Sequence, residues 1–201
     1  EHDAVTEAAV VLLGRAARYL PADSAHVRRV VERLLSALRT PSELVQEAVA
    51  SCLPALVRTS AAAKDVPSIV DHLFVDLLHG DKYATRRGAA YGLAGVVKGR
   101  GVSSIRELRI LARLSEAVHD TSTTTTRQGA LFAYELLAST LHVLLEPYVD
   151  GILADLLLCF GDTHADVREA TQDAARVLMR SLSGQCLKLI LPSLLDGLDE
   201  K

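Results

Sequence analysis

The chain has 201 residues, of which 49% are hydrophobic, 4% aromatic and 23% charged, and its formal net charge is −3. This length suits one compact domain or one stretch of a repeat array, and the apolar fraction excludes wholesale disorder. Neither a run of about eighteen apolar residues nor a secretory signal is present, so we expect no membrane span.

Alanine and leucine dominate the chain and favour helix, whereas period-two runs of β-branched and aromatic residues are missing. Apolar residues at three- and four-residue steps, as between Val27 and Leu38, predict a series of amphipathic helices. In chain order they span about 2–19, 24–38, 41–58, 67–79, 82–98, 103–118, 125–143, 146–160, 164–182 and 187–199. Thr40 as N-cap, with Pro41 and Glu43 behind it, predicts a capping box at the third helix.

A short pattern recurs along these helices at a nearly constant interval. A small residue stands at positions 48, 88, 129 and 170, so the intervals are 40, 41 and 41 residues. An interval of this length between paired helices is typical of HEAT and armadillo solenoids, whose hairpins pack on their neighbours. The sequence therefore predicts an all-α HEAT-repeat superhelix of about five hairpins. We expect residues 1–201 to form a single array that is a fragment of a longer solenoid.

Chemical motifs of enzymes and metal proteins are missing. The three cysteines form no Cys-x-x-Cys pair, and neither His-x-x-x-His nor Gly-x-Ser-x-Gly occurs. One helix face is lined by four glycines, Gly88, Gly92, Gly95 and Gly99, and this pattern predicts close approach of a neighbouring helix. The alternative is a glycine-rich phosphate loop, but such a loop requires Gly-Lys-Ser/Thr after a strand. We therefore predict no catalytic residue, metal site, cofactor or small-molecule substrate, and we assign Asp155 to the polar side of a helix.

Acidic and basic residues also recur with the repeat. An aspartate in a connector precedes an arginine of the next helix three times, and Gln46 replaces the arginine in an earlier unit. These candidates for a structural ladder between repeats are Asp81 with Arg86, Asp120 with Arg127, and Asp162 with Arg168. We predict that aspartate and arginine hydrogen-bond between adjacent hairpins and fix the stacking angle. The alternative is a line of arginines that faces the acidic groups of a partner.

Basic residues are concentrated between positions 82 and 113, where Glu107 is the one acid. The candidate contacts with an anionic partner are Lys82, Arg87, Lys98, Arg100, Arg106, Arg109 and Arg113. The last three stand at i, i+3 and i+7, which predicts one helix face. Such a focused positive surface attracts phosphate groups or acidic protein. The alternative is a solvated face whose charges pair with acids of adjacent repeats.

The stretch Asp81–Gly99, with Thr-Arg-Arg-Gly-Ala-Ala-Tyr-Gly at its centre, closely resembles a segment of the large Gcn-type translational activators. Gly129–Glu135 resembles the next repeat of the same segment. The resemblance continues in 146–149, 156–162, 167–170 and 188–195, and it covers roughly residues 24–199. One departure is visible: the family is usually rich in Lys and Arg before Gly129, where this chain has Thr121–Thr126. We interpret this run as a flexible connector, and the alternative is a phosphorylation site.

The resemblance points to the portion of these activators that is similar to the HEAT region of fungal elongation factor three. It implies a non-catalytic cytoplasmic scaffold that contacts ribosomes and an ABC-type ATPase of the Gcn-twenty class. The family activates the starvation-responsive kinase of initiation factor two alpha, and the kinase-binding part is expected outside this fragment. Two other hypotheses remain: the HEAT arm of an elongation-factor-three-like ATPase, and a generic HEAT adaptor such as a transport receptor or phosphatase scaffold. Walker motifs downstream would favour the ATPase.

Overall fold

The computed structural model describes residues 2–17, 19, 25–58 and 64–199. All regular structure in these ranges is helical, which confirms the predicted all-α superhelix. The helices are α1 (His2–Ala17), α2 (Ala25–Ala37), α3 (Glu43–Leu56), α4 (Val66–His79), α5 (Tyr83–Arg100), α6 (Ser103–Glu107), α7 (Ile110–Val118), α8 (Thr124–Leu141), a 3-10 helix (His142–Tyr148), α9 (Val149–Phe160), α10 (Ala165–Ser181) and α11 (Gly184–Asp199). None of them is both long and apolar enough to cross a membrane.

Two layers of helices alternate along the chain. In the first layer α1, α3, α5, α8 and α10 pack one against the next. The second layer, formed by α2, α4, α6 with α7, and α9, packs mainly onto the first layer, and α11 follows α10. Each helix thus buries its apolar stripe against neighbouring units, as a solenoid requires.

Glycines allow the first layer to pack tightly. A Cβ added to Gly95 would lie 2.7 Å from the carbonyl oxygen of Ala50, and one added to Gly88 would overlap the carbonyl of Leu38. Gly129, one repeat later, faces the backbone of Leu77 in the same way. The predicted close approach of a neighbouring helix is confirmed, since each of these glycines meets main-chain atoms of the preceding unit.

The structure differs from the sequence-based prediction where helices begin and break. The expected helix 103–118 is interrupted between α6 and α7, where Arg109 adopts the left-handed conformation with φ of 52°. The expected capping box is wrong: helix α3 begins at Glu43 with Ser42 as N-cap, and the Thr40 hydroxyl donates to the Ala37 carbonyl at 2.7 Å. Pro41 therefore lies in the turn before the helix rather than in its first position.

Candidate functional site

Arg127 joins the connectors of two successive repeats. Its Nε donates to Oδ2 of Asp162 at 2.7 Å, and its Nη1 donates to the carbonyl oxygens of Asp120 at 2.9 Å and Thr123 at 3.3 Å. The side chains of Arg127 and Asp162 are only 8% and 11% exposed. Burial disfavours ionised Asp162, but hydrogen bonds from Arg127 and from the backbone of His164 hold its pKa below the usual value.

The other arginines at this repeat position use backbone carbonyls. Arg86 Nη1 donates to the carbonyl oxygens of Gly80 at 2.8 Å and Asp81 at 3.3 Å, while its Nη2 reaches Oε1 of Gln128 in the next repeat at 2.8 Å. Burial lowers the pKa of Arg86. Arg168 Nη1 donates to the carbonyl of Asp162 at 2.7 Å, within its own connector.

The predicted ladder is therefore wrong in one respect: at two of the three aspartates the arginine binds the main-chain oxygen of the aspartate and not its carboxylate. Asp81 and Asp120 accept the arginine hydrogen bonds through their main-chain oxygens. The carboxylate of Asp120 instead accepts from the backbone N–H of Ser122 at 2.8 Å, and the hydrogen bonds from this serine lower the pKa of Asp120. The physical reason is that carbonyls at a helix end lack intrahelical partners, and an arginine in the following helix satisfies them.

Gln46 performs the same bridging with an amide. Its Nε2 donates to the carbonyls of Leu38 at 3.1 Å and Thr40 at 2.8 Å, and to that of Ala84 in the next repeat at 2.9 Å. Gln46, Arg86 and Arg127 are 2%, 6% and 6% exposed. Side chains so deeply buried are badly placed to meet a partner's acids, which favours the structural interpretation of this repeat position.

Arg87 is engaged inside the solenoid. Its Nη2 donates to Oε1 of Glu135 at 2.8 Å and to Oε1 of Glu43 at 3.4 Å, and its guanidinium lies 5.3 Å from the ring centroid of Phe132. Burial acts to lower the pKa of Arg87, but the hydrogen bond and charge of Glu135 outweigh it and raise the pKa. Its expected role as a partner contact has little support, because the side chain is 14% exposed.

Two further candidate cations have partners within the chain. Arg113 Nη1 donates to Oδ1 of Asp71 at 2.8 Å, and its guanidinium lies 3.7 Å from the ring centroid of Phe74. Arg109 pairs with Glu116 at 3.2 Å, with both side chains exposed. The expected single helix face of Arg106, Arg109 and Arg113 is wrong, because the left-handed Arg109 separates α6 from α7.

Four candidates remain exposed and form no ion pair with the part of the chain that the structure describes: Lys82, Lys98, Arg100 and Arg106. Lys82 precedes helix α5, whereas Lys98 and Arg100 lie in its last turn and Arg106 follows in α6. An 18-residue helix is about 27 Å long, so Lys82 lies at the opposite end from the other three. The basic block is thus divided into a single lysine and a group of three cations.

A buried polar cluster was missed by the sequence reasoning. Asp155 is 4% exposed, and its carboxylate accepts hydrogen bonds from the Tyr134 hydroxyl and from Ser115 Oγ, the latter at 3.0 Å. These residues join α7, α8 and α9, and a cavity of about 280 Å³ lies beside them. Burial, and then the hydrogen bond to Asp155, raise the pKa of Tyr134. The assignment of Asp155 to a polar helix face is wrong, because the helix turns this residue toward Tyr134 instead of solvent.

Another groove, of about 610 Å³, lies between α2 and α4. Its apolar lining includes Val31 and Ile69, and an ion pair of Arg28 with Asp65 at 2.9 Å lies beside them. Within the described ranges, no three His, Cys, Asp or Glu side chains lie close enough together to hold a metal ion.

Comparison with known proteins identifies related helical arrays. The model of the family described as EF3 N-terminal HEAT repeat matches residues 86–201. The mouse "Stalled ribosome sensor GCN1" is 48% identical over 200 residues, which is 100% of this chain and 7% of that protein. The yeast Saccharomyces cerevisiae "eIF-2-alpha kinase activator GCN1" is 35% identical over 198 residues, 98% of this chain and 7% of that protein.

A fungal protein, "Elongation factor 3" from Gonapodya prolifera, is 30% identical over 115 residues, which is 57% of this chain and 10% of that protein. The chain thus spans about 7% of the length of the GCN1 relatives that it matches. The similarity to GCN1 extends over nearly all of the chain, whereas the similarity to this elongation factor extends over little more than half.

Proposed function

Because the chain belongs to the EF3 N-terminal HEAT repeat family and resembles GCN1 over its whole length, we propose that it is a non-catalytic scaffold segment of a GCN1-type translational activator. The segment contacts ribosomes and an ABC-type ATPase partner of the Gcn-twenty class in the cytoplasm. It thereby promotes activation of the initiation-factor-two-alpha kinase during amino-acid starvation, while the kinase itself binds elsewhere on the activator.

The observation that carries the proposal is the match to GCN1 over 100% of the chain at 48% identity. That relative's name describes a sensor of stalled ribosomes, and the name of the yeast relative describes an activator of the eIF-2-alpha kinase. The similarity to elongation factor 3 supports a second candidate, the HEAT arm of a ribosomal ATPase. Its shorter span at 30% identity makes it the weaker candidate.

The structure supports a scaffold role through its rigidity and its charge. Buried bridges such as Arg127 to Asp162 connect one repeat to the next, so that surface side chains keep fixed spacings along the array. The exposed cations Lys98, Arg100 and Arg106 form no ion pairs within the described residues and are available to an anionic partner. A positive surface of this kind increases the rate of encounter with ribosomes and weakens as salt is added.

Ribosome co-sedimentation of the full-length activator tests the proposal. We expect the triple change Lys98→Glu, Arg100→Glu and Arg106→Glu to weaken ribosome binding by about tenfold, with the largest difference at low salt. The matched control reverses three other arginines, Arg29, Arg33 and Arg180, which are exposed and form no ion pair with the described residues, and it should bind as the unchanged protein does. Equal binding by both triple variants and the unchanged protein would remove these three cations from the ribosome contact.

A pull-down of the ABC-type ATPase with the same variants separates the two partners. Loss of this ATPase without loss of ribosomes would assign the three cations to the ATPase. ATP turnover by the full-length activator itself, purified away from the ATPase, would favour the second candidate function over the scaffold.

A further inference from the structure

Exposed cations stand at the end of α5, and exposed aliphatic side chains follow the end of α8, its neighbour in the first helical layer. Helices α5 and α8 each have 18 residues, and both their first and their last residues are 41 positions apart. Near their starts Arg86 bonds Gln128, and Arg87 bonds Glu135 further along. At the other end, Arg58, two residues after α3, donates to the Gly99 carbonyl near the end of α5, so these neighbouring helices end side by side. The repeat interval of 41 residues places the end of α8 next to the end of α5 in the same way, at a spacing of about 8–10 Å between helix axes.

The end of α5 is strongly positive. Lys98, Arg100 and Arg106 are exposed and unpaired in the described part of the chain, while Glu107 is the one acid between positions 98 and 107. A further arginine, Arg58, lies across this end, since its Nε donates to the carbonyl of Gly99 at 2.9 Å. The partial negative charge of one helix end, about half an elementary charge, leaves most of this positive charge uncompensated.

The 3-10 helix that follows α8 exposes two apolar side chains. These are Val143 and Leu144, whose side chains are 53% and 57% exposed. The flanking Leu141 and Leu145 are buried, so the chain turns this pair outward while anchoring both sides of it. The turn begins at His142, whose φ of 49° is uncommon for a residue with a Cβ.

We propose that this composite surface, the cation–aliphatic edge of Lys98, Arg100, Arg106, Val143 and Leu144, binds an acidic peptide segment of a partner protein in which apolar residues alternate with carboxylates. The inference rests on the proposed scaffold role, because it names the chemistry of a partner for the same three cations. Carboxylates of the peptide pair with the guanidinium and ammonium groups, and its apolar side chains cover Val143 and Leu144.

Charge and composition favour a peptide over an RNA backbone. Phosphates would satisfy the three cations but would leave two half-exposed aliphatic side chains without an apolar counterpart. Single-stranded RNA is recognised largely by stacking of bases on aromatic rings, and no aromatic residue belongs to this edge. An acidic and apolar peptide complements both halves of the surface, so that charge guides encounter and apolar burial slows dissociation.

Fluorescence anisotropy with the full-length protein tests the inference. The probe is a short labelled peptide of alternating glutamate and leucine, and the comparison probes are its glutamine-for-glutamate analogue and an RNA duplex. The key variant, Val143→Ser with Leu144→Ser, should weaken binding of the acidic peptide by about tenfold. The matched control, Val75→Ser with Leu158→Ser, changes side chains that are 57% and 54% exposed elsewhere and should leave binding unchanged.

The outcomes separate the inference from the proposed function. Peptide binding that is unaffected by the two serines, or duplex RNA that displaces the peptide and binds more tightly, would overturn the acidic-peptide inference. Tight binding of the glutamine analogue would overturn it as well. If the serine variant loses the peptide while the glutamate triple variant still sediments with ribosomes, the inference stands and the ribosome contact of these cations fails. If ribosome binding is lost with the triple variant while the serine variant keeps the peptide, the scaffold role stands and the inference fails.

Discussion

Replacement of Arg127 by methionine should destabilise the chain far more than a typical surface change. The methionine retains the apolar stem of the side chain but removes every donor, so Asp162 loses its ion pair at 2.7 Å. The carbonyl oxygens of Asp120 and Thr123 lose their arginine donor at the same time. Asp162, with its side chain 11% exposed, keeps the backbone N–H of His164 at 2.8 Å as a remaining donor.

The magnitude follows from this burial. Removal of one partner from a buried ion pair costs about 3–5 kcal/mol, because the other charge stays behind without compensation. The remaining hydrogen bond from His164 to Asp162 offsets part of that cost. We therefore expect the Arg127→Met change to lower the free energy of unfolding by about 3 kcal/mol at pH 7.

The pH dependence of this difference has a definite sign. The pKa of Asp162 is below its usual value in the folded chain. The stabilisation from ionised Asp162 is therefore fully present above the unfolded-state pKa of about 4 and is lost as the pH falls through the lower folded-state pKa. The difference in free energy of unfolding between the unchanged chain and the Arg127→Met variant should accordingly be constant from neutral pH to about pH 5 and become smaller below pH 4.

Urea denaturation of the two proteins across this pH range provides the measurement. The control is Arg176→Met, because Arg176 pairs with Asp173 at 2.6 Å on the surface with its side chain 55% exposed. Such surface pairs contribute only about 0–1 kcal/mol, so this variant should remain close to the unchanged chain. If Arg127→Met costs no more than Arg176→Met, the repeat bridge does not stabilise the stacking of hairpins in the way that its geometry indicates.

Two further predictions concern packing and the buried cluster. Gly129→Ala should lower the free energy of unfolding by about 3 kcal/mol or more, because the new Cβ would overlap the Leu77 carbonyl. Gly151→Ala should raise the free energy of unfolding by about 0.5–1 kcal/mol, because a Cβ at this helical position has open space. Thermal unfolding of both variants measures the two changes. Tyr134→Phe should lower the free energy of unfolding by about 1–3 kcal/mol, because buried Asp155 loses a donor; an unchanged urea midpoint would contradict this reasoning.

The structural features that recur with the repeat could be predicted from the sequence. The interval of 40–41 residues predicted the stacked helices. The spacing of the glycines between Gly88 and Gly99 predicted close helix contact. The structure confirms this contact, because Gly88 faces the backbone of Leu38 in the turn before α3 and Gly95 faces the backbone of Ala50 within α3. Both signals are local or periodic, because a solenoid repeats the same environment in each unit.

Features that depend on tertiary geometry could not be predicted from spacing. An ideal helix through 103–118 would align Arg106, Arg109 and Arg113, but the left-handed Arg109 breaks it, and no glycine or proline marks that position. The carbonyls that bind Arg86 and Arg127 carry no side-chain signal, because every residue has one. Exposure of Val143 and Leu144 likewise depends on where the chain turns after α8.

Phosphorylation of the alpha subunit of initiation factor two in starved cells tests most directly whether this segment supports an activator through its exposed cations. Cells would carry the full-length activator with Lys98, Arg100 and Arg106 changed to glutamate, or with Arg29, Arg33 and Arg180 changed in the same way, at equal protein levels. We predict a reduced phosphorylation response with the first variant and a normal response with the second. A normal response with both would contradict the claim that this surface of the scaffold promotes kinase activation.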